Sequence, residues 1–225
     1  KQVSFRYEDD ERYILKNADF AAAYGEIALL SGFSGEGKST VLSLLCGIIP
    51  NVTSGEISGE IRIEGELILG RGMNDICRKI GVVLQNAQAQ IIQQVVEDEL
   101  AFGCENFNVP KEEIAQRIRQ SCDMMQLEPQ WKTRMLSGGQ KQRVSLAGVM
   151  VDQVKILLFD EPLANLDPAT GKQTIELIDE IQKETDTTVV IIEHRLEDVL
   201  WRDVDRIILV SEGRILADLH PDELL

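Results

Sequence analysis

Short apolar runs recur along the chain and alternate with stretches of helical pattern. Runs of this kind are typical of parallel strands, because a strand covered on both faces needs apolar residues on both. Strands that alternate with helices predict an α/β fold with a mainly parallel sheet. The predicted strands are 27–30, 80–84, 156–159, 189–192 and 207–210.

The first third of the chain has a different pattern. A strand-like run covers 3–7, and the segment 55–63 alternates polar and apolar residues between glycines, as antiparallel hairpins do. From about 94 to 126 the pattern becomes helical, with an interruption at 108–110. Antiparallel strands are therefore expected near the N-terminus and helices in the middle of the chain.

These patterns together predict how the chain is organised. We expect a single domain over 1–225, without internal repeats. Its core, with an N-terminal antiparallel β subdomain, is expected at about 1–85 and 155–225. A helical subdomain at about 86–154 is expected to be inserted between two strands of this core.

The charge balance is strongly acidic, with 23 Lys and Arg against 38 Asp and Glu and a net charge of −15. Binding to nucleic acid or anionic lipid draws on clustered basic side chains, so no nucleic-acid partner is expected. The four cysteines show no C-x-x-C pairing, which predicts neither a zinc site nor a disulfide framework. They are expected to be small apolar residues of a reduced, cytosolic protein.

A glycine-rich segment follows the predicted strand 27–30 and precedes a helical stretch at 41–46. Its spacing is that of a P-loop, whose main-chain N–H groups surround phosphate oxygens at the N-terminus of a helix. The alternative, a strand-to-helix turn without a ligand, is disfavoured by the complete spacing. The predicted nucleotide-binding residues of this loop are Gly32, Ser34, Gly35, Gly37, Lys38, Ser39 and Thr40.

Within this loop two side chains have chemical roles. Lys38 is predicted to neutralise the β- and γ-phosphates and counts among the catalytic residues, and the Ser39 hydroxyl is a predicted Mg²⁺ ligand. The strand 156–159 ends in Asp160 and Glu161, at the edge where open α/β sheets bind ligands. Asp160 is predicted to hold Mg²⁺, and Glu161 to orient the attacking water and take its proton.

The segment Leu136-Ser137-Gly138-Gly139-Gln140 precedes the acidic strand and opens a helical stretch. With the two motifs above, it resembles the nucleotide-binding domain of the ATP-binding cassette (ABC) superfamily over essentially the whole chain. The resemblance implies a P-loop NTPase core and a head-to-tail dimer of two ABC ATPase domains. Ser137, Gly138, Gly139 and Gln140 would then complete the ATP site of the partner domain.

Other positions take their expected roles from the same resemblance. Tyr7 matches an aromatic ring that stacks on adenine, although an ordinary strand aromatic explains it equally well. Gln85 matches a catalytic glutamine that contacts Mg²⁺ or water, and His194 a catalytic histidine that contacts the γ-phosphate. The segment 164–167 corresponds to a loop between the two domains. Three residues depart from the family pattern around these positions: Leu163, Asn165 and Glu193.

Two features indicate one branch of the ABC superfamily. The segment 101–106 reads Ala-Phe-Gly-x-Glu-Asn, and Gly148 stands where many relatives carry Arg. Both resemble the ATPase subunits of energy-coupling factor importers of vitamins and transition metals, whereas Ala87 departs from their pattern. Two alternatives remain open: Gly148 allows close helix packing, and the glutamine-rich stretch after Asn86 is an exposed loop.

The resemblance implies a Mg²⁺-dependent ATPase that powers import through a transmembrane partner. It would be cytoplasmic and peripheral on the inner face of the cell membrane. The partner ATPase domain could be identical, different or fused in the same chain, and 221–225 could be the end of a trimmed piece. The alternatives are a non-transport ABC ATPase of the DNA-repair or translation type, and a P-loop kinase, which does not need the 136–140 motif.

Overall fold

A computed structural model describes residues 1–164 and 166–223 of the chain, and at residues 87 and 88 it describes the backbone alone. The predicted departure at Asn165 lies outside the described residues, as do Leu224 and Leu225. The side chain of Ala87, a second predicted departure, also lies outside them.

The described residues form strands in both the antiparallel part and the main sheet. They are β1 (Val3–Tyr7), β2 (Leu15–Ala18), β3 (Ile27–Ser31), β4 (Gly55–Ser58), β5 (Arg62–Ile63), β6 (Glu66–Leu67), β7 (Ile80–Val83), β8 (Ile156–Asp160), β9 (Thr188–Ile192), β10 (Arg206–Ser211) and β11 (Arg214–Leu219).

The helices are concentrated between β7 and β9. They are α1 (Lys38–Leu45), α2 (Ile48–Asn51), α3 (Met73–Cys77), α4 (Ala87–Gln90), α5 (Val96–Asn106), α6 (Lys111–Met125), α7 (Gly138–Val151), α8 (Pro168–Thr185) and α9 (Leu196–Val199), with 3-10 turns at Thr133–Met135 and Pro221–Glu223. Within residues 1–164 and 166–223, no helix is both long enough and apolar enough to cross a bilayer.

The main sheet has the strand order β11-β10-β3-β9-β8-β7, and all of its described pairs except β10–β11 are parallel. Every strand predicted from the apolar runs lies in it. The predicted mainly parallel α/β fold is therefore confirmed. The alternation of side chains places Ile27 and Leu29 of β3 in one core cluster, and Ala28 and Leu30 in another. Both faces of the sheet are thus covered, which explains the continuous apolar runs.

The predicted antiparallel part is confirmed. The segment 55–63, whose alternation is typical of hairpins, is divided between two pairings: β4 pairs with β1, and Ile57 stands opposite Phe5. Arg62 and Ile63 pair instead with Leu67 and Glu66. Gly59, with φ of 90°, turns the chain between the two pairings, and a Cβ there would lie 2.4 Å from the carbonyl oxygen of Gln2. Alternation identified strands here, but it does not specify their partners.

The helical region contains the break predicted at 108–110. Helices α5 and α6 are separated at 107–110, where the Val109 amide donates to the carbonyl of Cys104. Both pack against α7 through a shared apolar cluster that includes Leu100, Ile118 and Val144. A helical region joined to a mixed sheet is confirmed, whereas the subdomain boundaries near 86 and 154 remain a prediction.

The cysteines in the described part of the chain are free thiols, and Cys46, Cys104 and Cys122 are buried. Burial raises the pKa of Cys104 and of Cys122 to about 11, since a thiolate is poorly solvated there. These thiols are therefore protonated at neutral pH and act as small apolar side chains.

We expect Gly81→Ala to destabilise the fold, because a Cβ at Gly81 of β7 would lie 1.8 Å from Cγ1 of Val149 in α7. Overpacking of this kind costs about 1–3 kcal/mol. The matched control is Gly72→Ala, since Gly72 has an ordinary φ of −69° and open space around its Cα. Urea denaturation of the two variants measures the difference in free energy of unfolding. Equal values would show that the contact between β7 and α7 is not tightly packed.

Candidate functional site

Four neighbouring strands of the main sheet end at the same edge, and each is followed by a predicted site residue. The parallel register pairs Leu30 of β3 with Ile192 of β9, and Asp160 of β8 with the same Ile192. The glycine loop follows β3, His194 follows β9 and Gln85 follows β7. Residues far apart in the sequence are thus brought to one edge of the sheet.

The glycine loop requires glycine at two positions for different reasons. At Gly32 a Cβ would lie 2.2 Å from the carbonyl oxygen of Val210, so the loop passes too close to β10 for any side chain. Gly37 has φ of 100° and immediately precedes α1, a backbone conformation that L side chains rarely adopt. The backbone therefore curls back before the helix, leaving the α1 N-terminus to face an anion.

Lys38 lies inside this loop and is 5% exposed. Its Nζ donates to the carbonyl oxygens of Gly32 and Phe33, each at 2.8 Å. The loop therefore wraps around an ammonium group, and the contact of this group with phosphate oxygens remains a prediction. Ser34, Gly35 and Ser39 are exposed beside it.

Tyr7 lies next to α1, the helix that follows the glycine loop. A role for Tyr7 at this site was expected only from the family resemblance. Its hydroxyl is 3.4 Å from Oγ1 of Thr40, and its ring meets Phe5 edge to face at 4.8 Å. Tyr7 is thus brought to the nucleotide loop. Its contact with adenine remains a prediction, because these contacts equally suit a packed strand residue.

The two acids at the end of β8 have different environments. Burial raises the pKa of Asp160, the negative charge of Glu161 raises it further, and Lys38 lowers it. A carboxylate destabilised by burial and by a like charge favours a bound cation. Asp160 therefore has the surroundings expected of a metal ligand.

Glu161 occupies a strained turn at the centre of the site. Its φ of 47° lies in the left-handed region, which costs a non-glycine residue about 1–2 kcal/mol. The bond from its amide to the carbonyl of Ile192, at 2.9 Å, holds this conformation. Its carboxylate accepts from Nε2 of Gln85 at 3.3 Å and lies 3.9 Å from Nδ1 of His194. Three predicted catalytic residues therefore meet in one cluster.

The segment 137–140 forms the start of α7 on the surface. The Ser137 hydroxyl accepts from the Gln140 amide at 3.3 Å, and Oε1 of Gln140 accepts from the Ser137 amide at 2.9 Å, which together form a capping box. Ser137 and Gly138 are exposed, and Gly139 is half-buried. The predicted helix start is therefore present, and its role toward a partner's ATP stays a prediction.

Two alternatives from the sequence are corrected here. Gly148 does not serve close helix packing, since a Cβ there would meet no atom within 4 Å. The glutamine-rich stretch is not simply an exposed loop, because Gln90 donates to the Val82 carbonyl at 2.7 Å and accepts from the Leu84 amide at 3.2 Å. Gln90 thereby supports the end of β7 from which Gln85 projects.

The sequence missed several residues that hold the site together. Glu36 accepts from the Glu212 amide and ties the glycine loop to the β10–β11 turn. Gln142 of α7 donates to the carbonyl of Pro162, directly after Glu161, at 3.0 Å. Glu193, which departs from the family pattern, is fully buried beside His194. One signal was available for Glu193: an acid directly after a wholly apolar strand needs a specific partner.

The family model described as ABC transporter matches residues 15–164, which is most of the chain and includes the glycine loop, the segment 136–140 and both acids. The chain belongs to the ABC transporter family. Within this family it is similar to a protein of Vibrio vulnificus strain CMCP6 described as an ABC transporter ATP-binding protein, with 48% identity over 224 residues. A protein of Streptococcus pneumoniae with the same description is 48% identical over 227 residues.

These two alignments cover 99% and 100% of this chain but only 39% and 40% of the two relatives. It therefore spans about two fifths of the curated ABC relatives that it matches. Among solved structures it is similar to cbiO1 from Clostridium perfringens, described as part of the ABC transporter complex cbiONQ. That match has a TM-score of 0.89 and 31% identity, and covers 100% of this chain and 88% of the other.

Lys38→Met is expected to weaken ATP binding by about 10-fold to 100-fold, because hydrogen bonds of a charged group contribute about 1.5–3 kcal/mol. The methionine keeps the apolar stem but removes the ammonium group that the glycine loop surrounds. Titration with a fluorescent ATP analogue measures the change. Lys111→Met, at the exposed start of α6, is the control. Equal affinities of the two variants would contradict the assignment of the loop.

Asp160→Asn is expected to raise the melting temperature of the nucleotide-free protein at about pH 7.5, because the folded state raises the pKa of this acid and its ionisation opposes folding. The gain should shrink as the pH falls and disappear below the ordinary aspartate pKa of about 4, where both the folded and the unfolded state are protonated. Asp167→Asn should have the opposite sign, since hydrogen bonds from the side chain and then the amide of Thr170 lower the pKa of Asp167. Its stability loss should fade as the pH falls. Shifts of the same sign at neutral pH would contradict the electrostatic account of Asp160.

Proposed function

We propose that this chain is the ATP-binding and ATP-hydrolysing domain of an ABC importer. The observation that carries the proposal is the cluster of Gln85, Glu161 and His194 at the sheet edge that also bears the glycine loop. A phosphate-binding loop alone would suit many nucleotide-binding proteins. A carboxylate held between an amide and an imidazole beside that loop suits activation of a water molecule.

In the proposed reaction, the Glu161 carboxylate takes a proton from a water molecule as the water oxygen attacks the γ-phosphorus. The bond to the bridging oxygen then breaks, giving ADP and phosphate. Gln85 orients the Glu161 carboxylate through its amide nitrogen, at 3.3 Å. Lys38 and His194 offset negative charge on the phosphates.

The residues present also suit a Mg²⁺ ion, which prefers oxygen ligands. The Ser39 hydroxyl, the Asp160 carboxylate and the amide oxygen of Gln85 would hold it. The raised pKa of Asp160 supports this choice, because a cation would offset the cost of ionising a partly buried acid next to Glu161. When bound, Mg²⁺ neutralises charge on the β- and γ-phosphates.

The proposed active unit is a head-to-tail pair of ABC domains, in which Ser137, Gly138 and Gly139 complete the ATP site of the partner. Two exposed apolar side chains support this arrangement. Phe33 in the glycine loop is 82% exposed, and Met135 before the 137–140 segment is 77% exposed. Apolar side chains at both halves of the site would be buried when a second domain covers them.

We further propose import of a vitamin or a metal ion through a membrane partner, with the domain bound peripherally at the inner face of the membrane. Support comes from the segment 101–106, from Gly148 and from the likeness to cbiO1. Because the curated relatives extend well beyond the matched region, we propose that the second ABC domain is fused in the same polypeptide.

Glu161→Gln in the full-length protein is expected to retain ATP binding but to lower turnover at saturating ATP by about 100-fold or more, because the amide cannot accept the proton. Phosphate release and nucleotide binding are measured side by side. Glu180→Gln, on the exposed face of α8, is the matched control. Unchanged turnover in the Glu161 variant would contradict the proposed hydrolysis.

The transport part of the proposal is tested by affinity purification of the full-length protein from solubilised membranes. An integral membrane protein is expected among the recovered partners. Recovery of ribosomes or DNA without any integral membrane protein would contradict transport and favour a non-transport ABC ATPase.

A further inference from the structure

Glu193 is a fully buried acid at the end of β9, with 0% exposure. Its Oε1 accepts from the amides of His194 at 2.9 Å and Arg195 at 3.2 Å, and its Oε2 accepts from the amide of Leu163 at 3.3 Å. Nδ1 of His194 lies 3.3 Å from the same Oε1. A buried carboxylate is tolerated only with such partners, and here they belong to two separate segments of the site.

Arg195, on the other side of His194, reaches the same residue. Its Nη2 donates to the carbonyl oxygen of Leu163, whose side chain is also 0% exposed. Glu193 and Arg195, which flank His194 in the chain, therefore bind the amide and the carbonyl of the buried Leu163. We call Glu193, Leu163 and Arg195 together the Leu163 clasp.

The clasp lies directly after the proposed catalytic acid in the chain. Leu163 follows Glu161 by two residues and directly precedes the loop 164–167. The preceding carbonyl, that of Pro162, accepts from Gln142 on α7, the helix that begins at the 137–140 segment. The clasp therefore connects the His194 backbone to the segment 161–163, which also contacts α7 through the Pro162 carbonyl.

We propose that the Leu163 clasp makes His194 and the start of the 164–167 loop move as one unit, and that Glu193 is a positioning residue for ATP hydrolysis. The inference rests on the proposed ATPase function. The Glu161 amide donates to the Ile192 carbonyl at 2.9 Å, two residues before His194, and the side chains of Glu161 and His194 approach at 3.9 Å, so the clasp adds a further link between these two strand ends. A displacement of about 1 Å in such a cluster can cost about 100-fold in rate.

Glu193→Gln in the full-length protein tests the clasp with little change in volume. The glutamine side chain has only one acceptor oxygen. Its NH₂ group must therefore face the backbone N–H of Leu163 or the N–H groups of His194 and Arg195, and in either case two donors face each other. The turnover number at saturating ATP is expected to fall about 10-fold or more, while the ATP dissociation constant changes less than about twofold. Glu197→Gln, an exposed acid on α9, is the matched control.

A double variant with His194→Ala distinguishes an effect of Glu193 on the position of His194 from a general disturbance of the site. If Glu193 acts through His194, the turnover number of Glu193→Gln/His194→Ala should lie within about threefold of that of His194→Ala alone. Losses that multiply would overturn the proposal, since they would show an effect independent of His194. A turnover number for Glu193→Gln equal to that of the Glu197 control would also overturn it.

Arg195 supplies a second test should Glu193→Gln fail to fold. Arg195→Met removes the donor to the Leu163 carbonyl but keeps the apolar stem, and is expected to lower turnover several-fold with unchanged ATP affinity. Arg195 also pairs with Asp198 at 3.4 Å, so Asp198→Asn is the control that breaks this pair and leaves the clasp. Equal turnover in both variants would overturn the clasp. If instead Glu161→Gln and His194→Ala both leave turnover unchanged, the proposed hydrolysis itself fails.

Discussion

The parallel pairing of β3, β9, β8 and β7 is the constraint on which the rest of the site depends. In parallel strands the carboxyl ends all meet one edge of the sheet, and here the paired positions Leu30, Ile192 and Asp160 lie side by side. The glycine loop, the histidine, the two acids and Gln85 therefore converge without any of the intervening chain needing to be close. Strand order decides which group neighbours which.

Charge inside this edge is stabilised mainly by the backbone. Lys38 is surrounded by loop carbonyls, and Glu193 by amides. Both groups are almost completely buried, and in both cases the main chain supplies the opposite partial charges. Within residues 1–164 and 166–223 no comparable set of donors surrounds Asp160, and burial and the charge of Glu161 raise its pKa. A negative charge is therefore least well stabilised at Asp160, where a cation is expected to bind.

The surface of the domain carries the opposite features. Ser137, Gly138, Phe33 and Met135 are exposed, although Phe33 and Met135 are large and apolar. Their exposure fits a domain that supplies two separate half-sites and closes them against a second domain. In contrast, the Leu163 side chain and the Glu193 carboxylate of the proposed clasp are fully buried.

The sequence by itself determined the mainly parallel fold, the break between α5 and α6, and the residues of the glycine loop, because apolar periodicity and fixed spacing are local properties. It also predicted Glu161 from the apolar strand that ends in two acids, and Gln85 and His194 through resemblance. Only the tertiary structure decided that β4 pairs with β1, that Gln90 supports β7, and that Glu193 holds Leu163. Strand partners and buried hydrogen bonds join residues distant in the chain, and local pattern carries no information about which of them meet.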